Sequence, residues 1–147
     1  MLPREIEITK RVEFSASHRL HCEVLDAAAN EALYGKCVRE HGHNYALETT
    51  VCGLPDPLHG MVMNLRELGQ IVREEIVDVV DHRHLNHDVD LLKGVIPTAE
   101  NLVIAFWPPL ERRIAKLCGP RLHRLRLYET STSWVDYYGP GASPELG

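Results

Sequence analysis

Residues 5–18 alternate in character so regularly that they admit one kind of local structure. Ile6, Ile8, Val12, Phe14, Ala16 and His18 occupy even positions, with only Lys10 breaking the set. Glu5, Glu7, Thr9, Arg11 and Glu13 occupy odd ones. A period of two is that of a strand with one face buried. His18 keeps the apolar parity, so it points inward at the strand's end.

The stretch GKCVREHGHNY (35–45) carries two more histidines, His41 and His43. If the chain is extended after Cys37, both share a face with Tyr45, Leu47 and Val51. Gly42 between them lets the backbone pass close to a neighbour. Three inward histidines at the ends of two neighbouring strands predict a metal site. The alternative is three buried neutral imidazoles, each held by a backbone carbonyl. Three imidazoles suit Zn²⁺ and leave a fourth position for substrate or water, the arrangement of catalytic rather than structural zinc. Iron or another divalent metal could occupy the same donors.

A chain of 147 residues is most simply one domain with a sizeable core. The formal charge of −5 has no basic block behind it, which argues against nucleic acid as a partner. The arginines of 121–126 are interleaved with Leu122 and Leu125, as in a strand. No segment approaches membrane-spanning length and no long apolar leader opens the chain, so no membrane partner and a cytoplasmic location are expected. The four cysteines (Cys22, Cys37, Cys52, Cys118) lack paired CxxC spacing and read as free thiols. Cys52 and Cys118 fall in apolar-periodic segments and are expected in the core. Cys37 lies between Lys36 and Arg39, and nearby positive charge favours the thiolate.

The remaining chain divides cleanly. Residues 19–34 form a long connection with a short helix from Asp26, and 53–60 form a turn. Asn64 caps a helix, with Glu67 as reciprocal partner and an inward stripe of Leu65, Leu68, Val72, Ile76 and Val79. That stripe ends in DHRHLNHD (81–88), where an acid beside an imidazole could serve a nearby thiolate as a base system; a solvated helix end is the plainer reading. Thr98 caps a second helix, which Pro108-Pro109 should kink or break. Residues 121–130 and 132–138 are strands. Glu129 shares the apolar parity of Leu125 and Leu127, a costly placement for a carboxylate unless it binds something or sits exposed at the strand's end. The domain is expected to span 1–139, with a flexible tail over 140–147.

Six motifs occur in order: FSASHRL (14–20), GKCVREHGHNY (35–45), GMVMNL (60–65), VDHRHLN (80–86), PTAEN (97–101) and LYET (127–130). Together they resemble the 6-pyruvoyl-tetrahydropterin synthase and 6-carboxy-tetrahydropterin synthase family over residues 6 to 139. The resemblance implies an α+β tunnelling fold: a four-stranded antiparallel sheet with two helices on one face, in the order ββααββ. It implies trimers, commonly paired into hexamers, with active sites between subunits. His18, His41 and His43 match the zinc ligands, Cys37 the general base, and Asp81 with His82 the proton relay. Glu129 matches the carboxylate that grips the pterin, while Thr98 and Glu100 match the pocket region less specifically.

The implied substrate is 7,8-dihydroneopterin triphosphate. Cys37 and His41 have three residues between them. That spacing favours the carboxy-forming branch, which supplies queuosine and other deazapurines and releases acetaldehyde and triphosphate. The alternative is the pyruvoyl-forming branch, which eliminates triphosphate and makes a biopterin precursor; FSASHRL, GKC and GMVMNL read more like that branch. A pterin-binding homologue without turnover is a further alternative, against which Cys37, Asp81 and His82 argue. A zinc hydrolase would need a carboxylate base beside the metal, and no HExxH is present.

Overall fold

Residues 4–142 are described by the structure, a computed structural model. The alternation of 5–18 becomes strand β1 (Ile6–His18), paired antiparallel along its whole length with β2 (His41–Gly53). The register runs from Ile6 opposite Gly53 to His18 opposite His41. Lys10, the exception on the inward face, lays its aliphatic stem across Gly69, where an added Cβ would come within 3.0 Å of its Cε.

Between these strands lies the short helix α1 (Ala27–Tyr34), capped by Asp26, whose carboxylate accepts from Ala29 N at 2.8 Å. Asn64 caps α2 (Leu65–Val72) by accepting from Arg66 N at 2.9 Å. The helix then passes through a π-helical stretch, Arg73–Val77, into α3 (Asp78–Val80). Two successive residues of the π stretch, Glu74 and Glu75, pair with Arg113 at 3.0 and 2.9 Å. Strand β3 (Arg83–His84) is followed by α4 (Ala99–Ile114), β4 (Arg121–Thr130) and β5 (Ser133–Tyr137). Phe14, Tyr45, Leu47, Leu125 and Leu127 from the sheet share one core with Leu68, Ile71 and Ile76 of the first long helix and Leu102, Phe106 and Leu110 of α4.

The α+β class and the four antiparallel strands follow the expectation, but the sheet has five strands, in the order β3-β1-β2-β4-β5. Strand β3 pairs parallel with β1 through only two residues, Arg83 with Ala16 and His84 with Ser17. Its position is set just upstream: Asp81 accepts from Ser15 N at 2.9 Å, and His82 N donates to Ser15 O at 2.6 Å. His82 adopts φ +59°, an uncommon conformation for a residue with a side chain, which turns the chain onto the sheet edge.

Pro108 and Pro109 do not break their helix; both lie inside an uninterrupted α4. Phe106, Trp107, Leu110 and Ile114 are buried around them, and that packing outweighs a local cost of about 3 kcal/mol per interior proline. Cys52 is buried as expected, whereas Cys118 is exposed in the turn after α4. Gly139 is not loose: it is buried with φ +95° against Trp107, where an added Cβ would lie 2.6 Å from the indole. Residues 140–142 make a turn in which Ala142 N donates to Gly139 O at 3.3 Å, and the rest of the expected tail, 143–147, lies outside the described residues.

The sheet face away from the helices carries a cross-strand row of alternating charge. Arg11, Glu48, Arg126 and Asp136 are successive partners across β1, β2, β4 and β5. The contacts are 3.3 Å for Arg11–Glu48 and 2.7 Å for Arg126–Asp136. Opposite charges so placed support the register. No helix among the described residues is long and apolar enough to cross a membrane.

Candidate active site and metal centre

Because β1 and β2 end together at His18 and His41, parity brings His18, His41 and His43 to one place. Their ring centroids lie 4.6, 5.2 and 4.9 Å apart, with the rings mutually steep. One ligating nitrogen from each falls within 4.8 Å of the others. Backbone carbonyls orient two of the rings. His18 Nδ1 donates to Pro97 O at 2.8 Å and His41 Nδ1 to Arg39 O at 2.7 Å, which leaves each Nε2 as a free lone pair.

Nε2 of His41 and Nε2 of His43 are buried without a hydrogen-bond partner. Orphaned acceptors of this kind fit a metal ion. Burial, with the neighbouring His41, His43 and His84, lowers the pKa of His18 to about 4, although its bond to Pro97 opposes the shift. His43 is likewise held below the usual histidine range by burial, with Glu129 opposing. Neutral imidazole is the form that ligates metal.

Glu129 reaches the edge of this centre, its Oε1 3.4 Å from His43 Nε2. The two atoms make no hydrogen bond at that separation, so the carboxylate keeps its acceptor capacity. It also lines a cavity of about 390 Å³ with Leu20, Thr98, Glu100 and Trp134. The expected pocket residues Thr98, Glu100 and Glu129 are therefore brought together. Thr98 has a second task as the N-cap of α4, accepting from Asn101 N at 3.2 Å. Tyr45, fully buried, holds its hydroxyl 3.4 Å from His18 Nδ1, and burial followed by Glu129 keeps that phenol neutral.

Cys37 sits in a 3₁₀ turn, Gly35–Val38, immediately before β2. Its carbonyl accepts from Leu20 N at 2.8 Å, tying the turn to the end of β1. Asp81 Oδ2 lies 2.9 Å from His82 Nδ1, with the His82 side chain 81% exposed. The Ser15 amide first, and His82 second, hold the Asp81 carboxyl below the usual carboxylate range. Among the described residues of this single chain, the Cys37 thiol makes no hydrogen bond to that pair. The expected base, Cys37, and its expected relay are therefore not joined within one chain.

Sequence reasoning missed Asn86. Its side chain accepts from Arg19 N at 2.9 Å and donates to Arg19 O at 3.0 Å, fixing the chain just after His18. Nothing short-range marks it, because its partner is 67 residues away. The backbone carbonyl of Pro97 is similarly silent in sequence.

Fold and site together define a class: an α+β protein with a three-histidine cluster that could hold a metal ion, beside a carboxylate-lined pocket. The family model described as 6-pyruvoyl tetrahydropterin synthase matches residues 7–140, and the chain belongs to that family. A 6-pyruvoyl tetrahydrobiopterin synthase of Dictyostelium discoideum is 38% identical over 138 residues, covering 94% of this chain and 99% of the relative. A 6-carboxy-5,6,7,8-tetrahydropterin synthase of Synechocystis is 32% identical over 146 residues, covering 95% and 98%. The solved structure of Caenorhabditis elegans 6-pyruvoyl tetrahydropterin synthase superposes with a TM-score of 0.83 at 34% identity, covering 95% of this chain and 99% of that one. Against the branch expected from the Cys37–His41 spacing, the relatives with the higher identities carry the pyruvoyl name.

Proposed function

We propose that this chain is a lyase that converts 7,8-dihydroneopterin triphosphate to 6-pyruvoyl-tetrahydropterin with elimination of triphosphate. The observation that carries this reading is the convergence of three imidazoles beside Glu129, at 3.4 Å from His43. His18, His41 and His43 would hold Zn²⁺. A bound zinc ion supplies Lewis-acid stabilisation of negative charge developing on the substrate side-chain oxygens.

The protein groups divide the remaining work. Glu129 accepts the paired N–H donors of the pterin's guanidine-like edge, a two-donor pattern that a carboxylate matches well. Thr98 and Glu100 shape the wall of the same pocket. The Pro97 and Arg39 carbonyls keep the His18 and His41 imidazoles aimed inward. The Cys37 thiolate takes a proton from the substrate side chain and forms no covalent bond to it. Asp81 orients His82, which passes the proton on.

Since Cys37 and the Asp81–His82 pair do not meet within one chain, we assign their meeting to self-association, as a trimer or hexamer. One copy supplies the thiol and a neighbour the pair. The four free thiols support a reducing, cytoplasmic setting.

A second reading is the carboxy-forming reaction, favoured by the three residues between Cys37 and His41. Mass spectrometry of the products formed from 7,8-dihydroneopterin triphosphate by zinc-loaded protein separates the two. Pyruvoyltetrahydropterin with triphosphate is expected; acetaldehyde with carboxytetrahydropterin as the main products would transfer the assignment to the other branch.

A further inference from the structure

The segment 81–88 holds more imidazole than the reaction above uses. His84 and His87 remain, and the fold brings them to Glu40, which lies 44 positions before His84 and next to His41. We propose that Glu40, His84 and His87 form a second divalent transition-metal site, distinct from the three-histidine centre.

The first support is position. Pairing of His84 with Ser17 on β1, and of His18 with His41 across β1 and β2, puts the residue after β3's start beside the mouth of β2. One donor atom from each of Glu40, His84 and His87 then lies within 4.8 Å of the others. The second support is spacing. His84 Nε2 stands 3.5 Å from Glu40 Oε1. Two donors bound tetrahedrally at zinc distances of about 2.0–2.1 Å stand about 3.4 Å apart. The third is the state of His84 Nε2 itself, which is buried but has no hydrogen-bond partner. A buried polar atom left without a partner is the exception in folded proteins and calls for an occupant.

Two imidazoles and one carboxylate suit zinc, cobalt or ferrous iron, and with only three protein donors the coordination is completed by water. Two local changes accompany binding. His87 now stacks on His84 at 4.5 Å with the rings 22° apart, and two nearly parallel rings cannot both aim in plane at one ion. Exposed His87 therefore has to turn. His84 Nδ1 now accepts from Asn86 N at 3.3 Å, which puts the proton on Nε2; binding moves that proton to Nδ1 and gives up this long contact. Both changes make the second site weaker than the first, where the Nδ1 atoms of His18 and His41 already donate to carbonyls. An ion there ties the 83–88 segment to the start of β2, and binding to the folded state alone raises stability.

The test is metal stoichiometry by equilibrium dialysis of metal-stripped full-length protein against Co²⁺, counted by plasma mass spectrometry, with the Tm followed in parallel. Two equivalents per chain are expected for the wild type. His87→Ala and Glu40→Gln should each retain one equivalent and lose the second, weaker step in Tm. His41→Ala should also retain one, bound at the Glu40–His84–His87 site, and His41→Ala/His87→Ala none. One equivalent in the wild type, unchanged by His87→Ala and lost in His41→Ala, overturns the second site and leaves the first standing. A count lowered by His87→Ala but not by His41→Ala upholds the second site and refutes the first.

Discussion

His18 and His41 face each other as the last paired residues of two thirteen-residue strands, their rings 4.6 Å apart. Each donates Nδ1–H to a backbone carbonyl, at 2.8 and 2.7 Å. Neither ring can reorient without breaking a hydrogen bond, so the two Nε2 lone pairs are aimed before any ion arrives. Replacing His41, which is only half-buried, with Ala should leave the fold intact and lower metal affinity at this centre at least tenfold. Competition against a chelator reads this, and an unchanged affinity would remove His41 from the ligand set.

The metal-free protein should be acid-sensitive in a defined window. His18 has a folded pKa of about 4 against an ordinary value of 6.5. Between those values the unfolded chain binds the proton more readily, so folding stability falls as pH drops from 6.5 to 4 and levels off below. The contribution of this one group is roughly 3 kcal/mol across the window. Urea unfolding midpoints of wild type and His18→Asn, measured from pH 7 to 4, should show a steeper fall in the wild type. Parallel profiles would contradict it.

Glu129→Gln keeps the shape of the pocket and removes the charge proposed to receive the pterin. A hydrogen bond to a charged group contributes about 1.5–3 kcal/mol, so kcat/KM should fall roughly 10- to 150-fold. Zinc content should be unchanged. Wild-type kinetics in this variant would mean that the pterin is gripped elsewhere.

Cys37→Ala and His82→Ala should each bind zinc normally and lack turnover. If the thiol and the Asp81–His82 pair meet between copies, unfolding and refolding the two variants together regenerates sites in which both groups are intact. Activity should return in the mixture at a substantial fraction of wild type. Inactive mixed oligomers would place both groups within one subunit's site.

Gly139→Ala introduces a Cβ where 2.6 Å separates it from the Trp107 ring, at a φ of +95° that alanine avoids. A destabilisation of about 2–3 kcal/mol is expected from overpacking and backbone strain together. A thermal melt reads it; an unchanged Tm would mean that Trp107 moves aside without penalty.

The convergence of the three histidines was legible in the sequence because strand parity is a long-range instruction. Once His18, His41 and His43 share the parity of Phe14, Tyr45 and Leu47, pairing of the two strands must collect them. Glu129 was legible for the same reason, as a charge out of place beside Leu127. Strand β3 was not, since two residues carry no period; it exists because Asp81 and His82 grip Ser15, 66 positions earlier for Asp81. The prolines of α4 misled because local chain preference ignores the burial of Phe106 and Leu110. The His-rich run 81–88 stood out, but its link to Glu40 comes only from the register of β1 with both neighbours.

The proposed triphosphate elimination requires a metal held by His18, His41 and His43. The most direct measurement is triphosphate release from 7,8-dihydroneopterin triphosphate by three samples: metal-stripped protein, the same protein reloaded with zinc, and reloaded His41→Ala. Release by the reloaded wild type alone is the predicted result. Equal release by the stripped protein, or by His41→Ala, would contradict it.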